Sequence, residues 1–316
     1  MPESVHFWLE ELAEGVYAAI HVAGGAAIGN AGIVDLGGRT LVYDTFFTPQ
    51  AGEDLRIAAQ AVTGRAVDWV VNSHYHNDHI WGNQAFDGGT TIVATEETRR
   101  LIVETRGHDD FDTFMENAEV SLESTLAQFE ATEDEGERRQ VAFWVDYHRA
   151  QVEAKPILEV RAPDLAFADR MAFHGRERSA ELIAYDKGHC PSDAVLFLPE
   201  EGIVFMGDLL FVDHHPWLGA GDPDCFRQIL REVAELKPRM VVPGHGPVGG
   251  PESLEHMSQY VDELDGLARS MLKTGDVEKR IDAMAVPQAW EEWGLAAFFT
   301  LNLRFLCELR AVEVPP

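Results

Sequence analysis

Asn72-Ser73-His74-Tyr75-His76-Asn77-Asp78-His79 packs three imidazoles and a carboxylate into its last six positions. The preceding run 67–73 (VDWVVNS) is short and apolar and reads as a strand, so the motif belongs to a loop or helix start at a strand's C-terminal end. Imidazole nitrogens and carboxylate oxygens are the ligands that zinc takes in hydrolytic sites. Residues 74 and 76 are two apart, so on an extended chain they point the same way. Asp78 and His79 can then turn toward a neighbouring position. A tight cluster with two facings suits two metal ions better than one.

Working outward, three later positions share a setting. His189 lies in YDKGHCPSD after an expected strand at 181–185, Asp208 in FMGD after one at 203–206, and His245 in PGHG after one at 240–243. Each has a glycine beside it, and glycine lets a backbone approach an ion closely at the strand ends where sites gather. The ordered set His74-x-His76-x-Asp78-His79, then His189, Asp208 and His245, resembles the metallo-β-lactamase-fold hydrolase superfamily over about residues 15–250. The resemblance implies an αββα sandwich with metals at one edge. It assigns His74, His76 and His189 to a first metal and Asp78, His79 and His245 to a second, with Asp208 bridging. Asp78 and Asp208 are the implied catalytic carboxylates, and two Zn2+ the implied cofactors, with iron or manganese as alternatives. Lactamases with a cysteine ligand carry it at the position matching Asp208. The aspartate here is instead similar to the glyoxalase-II, lactonase and phosphodiesterase branches. Cys190 matches no ligand position and reads as structural.

Further site candidates surround this set. Asp44, in VYDT, ends an expected strand and resembles a family position beneath the histidine loop, where it would orient that loop. His214, His215 and Trp217 follow Asp208 in a loop and are candidates to line the substrate pocket. Tyr75 and Asn77 occupy the variable positions of the motif and are expected to face the cleft. His6, His21, His108, His148, His174 and His256 read as ordinary.

Composition bounds the function. The chain has 316 residues, with 25 Lys plus Arg against 54 Asp plus Glu, a formal net charge of −29. Such acidity argues against the nucleic-acid backbone and anionic membrane surfaces as partners. Three dispersed cysteines, Cys190, Cys225 and Cys307, form no CxxC and no disulfide framework. With no basic start followed by an apolar run, a reduced, cytoplasmic protein is expected. Residues 16–34 carry no formal charge, but Gly24, Gly25, Gly29 and Gly32 interrupt them, so strands around a glycine turn fit better than a membrane span. A phosphate-cradling reading of those glycines fails, because a strand rather than a helix follows them and no Gly-Lys-Ser/Thr occurs.

The remaining pattern suggests one α/β (α+β) domain over 1–316. Strands are expected at 16–22, 26–36, 40–44, 67–73, 91–94, 157–160, 165–173, 181–185, 194–198, 203–206 and 240–243. Helices are expected at 53–62, 96–104 and 224–236. Apolar residues at helical spacing from Phe111 to Val152, split by EDEGE, suggest a helical hairpin insertion over 109–154, acting as a lid or a subunit contact. Residues 251–316 form a helical C-terminal extension with two stripes, one through Leu254, Met257, Val261, Leu264 and Met271, the other through Trp290, Trp293, Leu295, Phe298, Leu301 and Phe305. Strand groups alternating twice with helices predict two sheets covered by helices, a four-layer αββα arrangement. The expected function is a metal-dependent hydrolase whose metal-bridging hydroxide attacks the carbonyl of a small-molecule ester, lactone, thioester or lactam, with β-lactams as a side activity. The alternative is a non-haem iron oxidoreductase on the same fold, of sulfur dioxygenase or oxygen reductase type. Apolar helix faces permit a homodimer.

Overall fold

The computed structural model describes residues 3–86, 88–273 and 276–312. In chain order it contains β1 (Phe7–Ala13), β2 (Val16–His21), β3 (Ala31–Asp35), β4 (Thr40–Tyr43), α1 (Pro49–Thr63), β5 (Trp69–Val71), α2 (Asn77–Ile80), β6 (Thr91–Thr95) and α3 (Glu96–Thr105). Then come α4 (Phe111–Glu116), α5 (Ala118–Ala131), α6 (Glu135–Ala154), β7 (Leu165–Phe167), β8 (Arg170–His174), β9 (Ser179–Asp186), β10 (Ser192–Leu198) and β11 (Ile203–Phe205). The chain continues through α7 (Pro223–Glu235), β12 (Met240–Val242), α8 (Glu252–Leu272), α9 (Val277–Asp282) and α10 (Ala297–Ala311). Strands β1 to β7 form a seven-stranded sheet in sequential order, and the second sheet has five strands in the order β12-β11-β10-β9-β8. Neighbours are antiparallel from β1 to β4 and parallel from β4 to β7. In the second sheet only β11 and β12 run parallel.

Alternation along the strands builds the layers, because successive side chains point to opposite faces. Leu41, Tyr43, Val71 and Val93 face inward and meet Leu182, Ala194, Leu196 and Phe205 of the other sheet. Their neighbours Val42, Val70 and Ile92 face outward and are covered by Leu55, Ala58 and Ala59 of α1. On the far side, Val195, Val204 and Val241 pack beneath α7, α8 and α10. The result is helix, sheet, sheet, helix. The sheets approach closely at Gly32, where an added Cβ would stand 2.4 Å from the Phe205 ring. Among the described residues, no helix is long and apolar enough to cross a membrane.

Several expectations change. Strand β1 was not anticipated; its FWLEELA alternates Phe7 and Leu9 inward against exposed Trp8. The expected strand 26–36 pairs only over β3, because the preceding loop turns at Ile28 (φ 65°), whose N–H donates to His21 Nδ1. The expected strand 165–173 is two strands, β7 and β8, which belong to different sheets. Residues 157–160 form no strand. The Gln84 side chain takes the place of a neighbouring strand there, donating to Ile157 O and accepting from Glu159 N. The expected hairpin segment holds three helices, α4 to α6, and EDEGE is mostly helical: Asp134 caps α6 by accepting from Glu137 N. The second C-terminal stripe is interrupted. Trp290 ends a short 3-10 turn, and α10 buries Phe299, Leu303 and Leu306 rather than Leu301.

Candidate metal centre

The motif leaves β5 extended, carries His74 and His76 on the loop, and enters α2 with His76 at its N-cap position. The helical turn then brings Asp78 and His79 round to face His245, with the His79 ring still 4.4 Å from that of His74. His189 sits between β9 and β10, Asp208 in the 3-10 turn Gly207–Leu209 after β11, and His245 just beyond β12. Both sheets therefore contribute, and all these groups meet at one edge of the sandwich.

The donor atoms face one another in two sets. In the first, His76 Nδ1 lies 3.1 Å from His74 Nε2 and 2.9 Å from His189 Nε2. Asp208 Oδ2 is 3.3 Å from His189 Nε2 and 3.8 Å from His74 Nε2. In the second, Asp208 Oδ1 is 3.1 Å from His79 Nε2 and 3.5 Å from His245 Nε2. Asp78 Oδ2 is 3.2 Å from His245 Nε2 and 3.7 Å from His79 Nε2. Each oxygen of Asp208 thus faces a different set. His74, His76, His189 and Asp208 could hold one ion, and Asp78, His79 and His245 another.

The chemistry of this cluster fits divalent cations. His79 Nε2 and Asp208 Oδ1 are buried, face each other at 3.1 Å and make no well-aligned hydrogen bond, an arrangement that a cation between them would satisfy. Burial pushes His74 well below the usual imidazole range and His76 down to about 3, so both rings are neutral and able to ligate. Burial also opposes charge on His79 and His245, but the carboxylates of Asp208 and Asp78 outweigh it, lifting His79 well up and His245 to about 9. A cation binding there would therefore compete with protons on these two rings. Room is tight on the backbone side. A Cβ at Gly244 would stand 2.0 Å from Asp208 Oδ1, so only glycine fits before His245.

A buried network aims the rings. Asp44 is fully buried in a left-handed conformation (φ 59°), strain that its contacts offset. Its carboxylate accepts from Ser73 N and Ser73 Oγ, both at 2.7 Å, and lies 2.9 Å from His79 Nδ1. Ser73 Oγ in turn lies 2.8 Å from His74 Nδ1, so one carboxylate fixes rings in both sets. Asp193, not anticipated, accepts from the backbone N–H of His189 at 3.0 Å and of Cys190 at 3.2 Å. Its signal in the sequence was a carboxylate four residues after the histidine, within the same loop. The Cys190 thiol is buried, points to Ser192 O at 3.0 Å and is pushed well up by that burial, so it remains protonated.

Above the donors opens a cleft of about 380 Å³, whose lining includes Tyr75, Asn77 and Trp217. His214 and His215 do not line it. The 213–215 segment pairs with Gly294, which turns both rings away. His214 Nδ1 is 2.8 Å from Val212 O, and the ring borders a separate cavity of about 300 Å³ with His21 and Asn30. His215 is fully buried, 2.7 Å from Tyr260 OH and edge-on to Phe299. The cleft instead receives Phe143, Trp144 and Tyr147 from α6, Phe298 and Leu301 from α10, and His108 at its mouth. Tyr147 stacks on Phe47 at 4.6 Å and accepts from Asn77 Nδ2 at 3.2 Å, which seats α6 against the histidine loop.

The sequence profile of the Metallo-beta-lactamase superfamily matches residues 24–245. A "Metallo-beta-lactamase type 2" of Bacteroides fragilis is 36% identical over 106 residues, which span 32% of this chain and 43% of that protein. Among solved structures, the "Metallo-beta-lactamase from Pontibacter korlensis" superposes with a TM-score of 0.59 at 18% identity, over 81% of this chain and 99% of that one. A metallo-β-lactamase from Hirschia baltica gives 0.58 at 14% identity, over 81% and 98%. At these identities the structures share the fold.

Proposed function

The chain belongs to the metallo-β-lactamase superfamily, a metal-dependent hydrolase fold, and on that footing we propose that it is a dinuclear zinc hydrolase of small carbonyl compounds: esters, lactones, thioesters or lactams. The observation that carries this reading is the pair of donor sets divided by the two oxygens of Asp208. His74, His76 and His189 would hold one ion and Asp78, His79 and His245 the other, with the two oxygens of Asp208 facing the two sets. Bound there, divalent ions supply a nucleophilic hydroxide near neutral pH and polarise a carbonyl oxygen.

The protein's own groups do the rest. Asp208 offsets part of the positive charge and fixes the spacing of the two sets. Asp78 lines the cleft, so its carboxylate can take a proton from water and deliver it to the departing alcohol, thiol or amine. The acyl carbon–heteroatom bond breaks, and the acid and the protonated leaving group depart. Asp44, through Ser73, keeps the rings from rotating as charge moves.

The test combines metal analysis with a panel of ester, lactone, thioester and lactam substrates. Two zinc ions per chain and hydrolysis of at least one class are expected. Iron with oxygen consumption and no hydrolysis overturns the reading. Replacing Asp208→Ala should remove metal and activity together; a fully active variant retaining both ions refutes its bridging role.

A further inference from the structure

Resting on the hydrolase reading, we propose that the substrate is an uncharged ester or lactone bearing a bulky apolar group, and that anionic substrates are discriminated against. The cleft wall is an aromatic panel drawn from three places in the chain. Trp144 of α6 meets Phe298 of α10 edge-on at 5.6 Å, and Trp217 lies 5.5 Å from the same Phe298 ring. Leu301, 41% exposed, continues the panel to the rim. Such a surface stabilises an aryl or acyl group by burial, in a volume that suits a small organic molecule.

Two buried polar side chains of the lining are already engaged within the protein. Asn77 Nδ2 donates to Tyr147 OH at 3.2 Å, and Tyr75 OH donates to Asp109 Oδ1 at 3.2 Å. Asp109 brings a carboxylate to the lining, where the described residues include no lysine or arginine. The nearby Arg106 is turned elsewhere: its guanidinium lies 3.8 Å from the Phe111 ring centre and pairs with Asp112 at 2.6 Å. A carboxylate on the substrate, remote from the reacting carbonyl, would lose hydration against aromatic rings and meet Asp109. A neutral chain of the same length meets neither cost.

Matched esters test this on the full-length, metal-loaded protein. One is 4-nitrophenyl hexanoate; the other is the half-ester mono(4-nitrophenyl) adipate, equal in reach but ending in a carboxylate. The hexanoate should show the larger kcat/KM by about tenfold or more. Leu301→Lys should erase most of that preference, and Leu301→Met should keep it. Equal or better cleavage of the half-ester by the native protein overturns the proposal while leaving the hydrolase reading intact, as does a ratio unmoved by Leu301→Lys. If neither ester is cleaved, calorimetry with 2-naphthalenemethanol and 2-naphthalenesulfonate decides. Tighter binding of the alcohol supports the neutral pocket and places the failure in the hydrolase reading. Equal or tighter sulfonate binding, or no binding of either, overturns the pocket's assignment.

Discussion

Asp44 does more than its place in a turn suggests. Its two oxygens meet Ser73 and His79, and through Ser73 they reach His74. Replacing Asp44→Asn keeps the shape but turns one acceptor into a donor and removes the charge. Metal affinity should fall by about 10–100-fold, read by competition with a chromophoric chelator, and activity should return as metal is raised. Loss of activity that saturating metal does not restore would contradict a purely orienting role. At this scale the four proposed ligands of the 72–79 motif were legible from their close spacing after an apolar strand, and His189, Asp208 and His245 from a strand end with a glycine beside each. His215 was not legible. Its ring lies against Tyr260 and Phe299, residues far along the chain, and a sequence does not reveal which loop a distant helix will cover.

One side chain hydrogen-bonds helix α6 to the approach to α10 at two points. Gln140 Nε2 donates to Trp293 O, and Gln140 Oε1 accepts from Ala296 N, both at 3.1 Å. Replacing Gln140→Leu removes both bonds, each worth about 1 kcal/mol, and frees the two halves of the aromatic panel to separate. Thermal melts should fall by a few degrees. KM for 4-nitrophenyl hexanoate should rise several-fold, while kcat/KM for the short acetate ester, which does not reach the panel, should stay near the native value. An equal loss on both esters would show that the clamp serves the donors instead. The helices themselves were legible from their 3.6-residue spacing. Which face of α10 turns inward was not, because both Phe298 and Phe299 are apolar and the choice depends on the packing against α8. Likewise the break between β7 and β8 is a change of sheet, for which Ala168 and Asp169 carry no turn chemistry strong enough to read.

Across the whole molecule, the donors come from both sheets: the loop after β5 on one side, and those after β9, β11 and β12 on the other. Bound ions therefore fasten the sheets together at one edge. Chelation should lower the melting temperature by several degrees, and added zinc should restore it; ligand at a thousandfold its Kd stabilises by about 4 kcal/mol. An unchanged melt after complete metal removal would show that the edge holds without ions. The four layers were legible because strand alternation and helix spacing agree along most of the chain. The cleft was not, since it forms where α6, α10 and the 210–220 loop converge.

That convergence has an evolutionary consequence. Phe143, Trp144, Tyr147, Phe298 and Leu301 hang from helices that contribute none of the donor groups. Substitutions at Phe143, Trp144, Phe298 and Leu301, which unlike Tyr147 make no hydrogen bond to the ligand motif, would therefore exchange one diet of molecules for another with the donor kernel left in place.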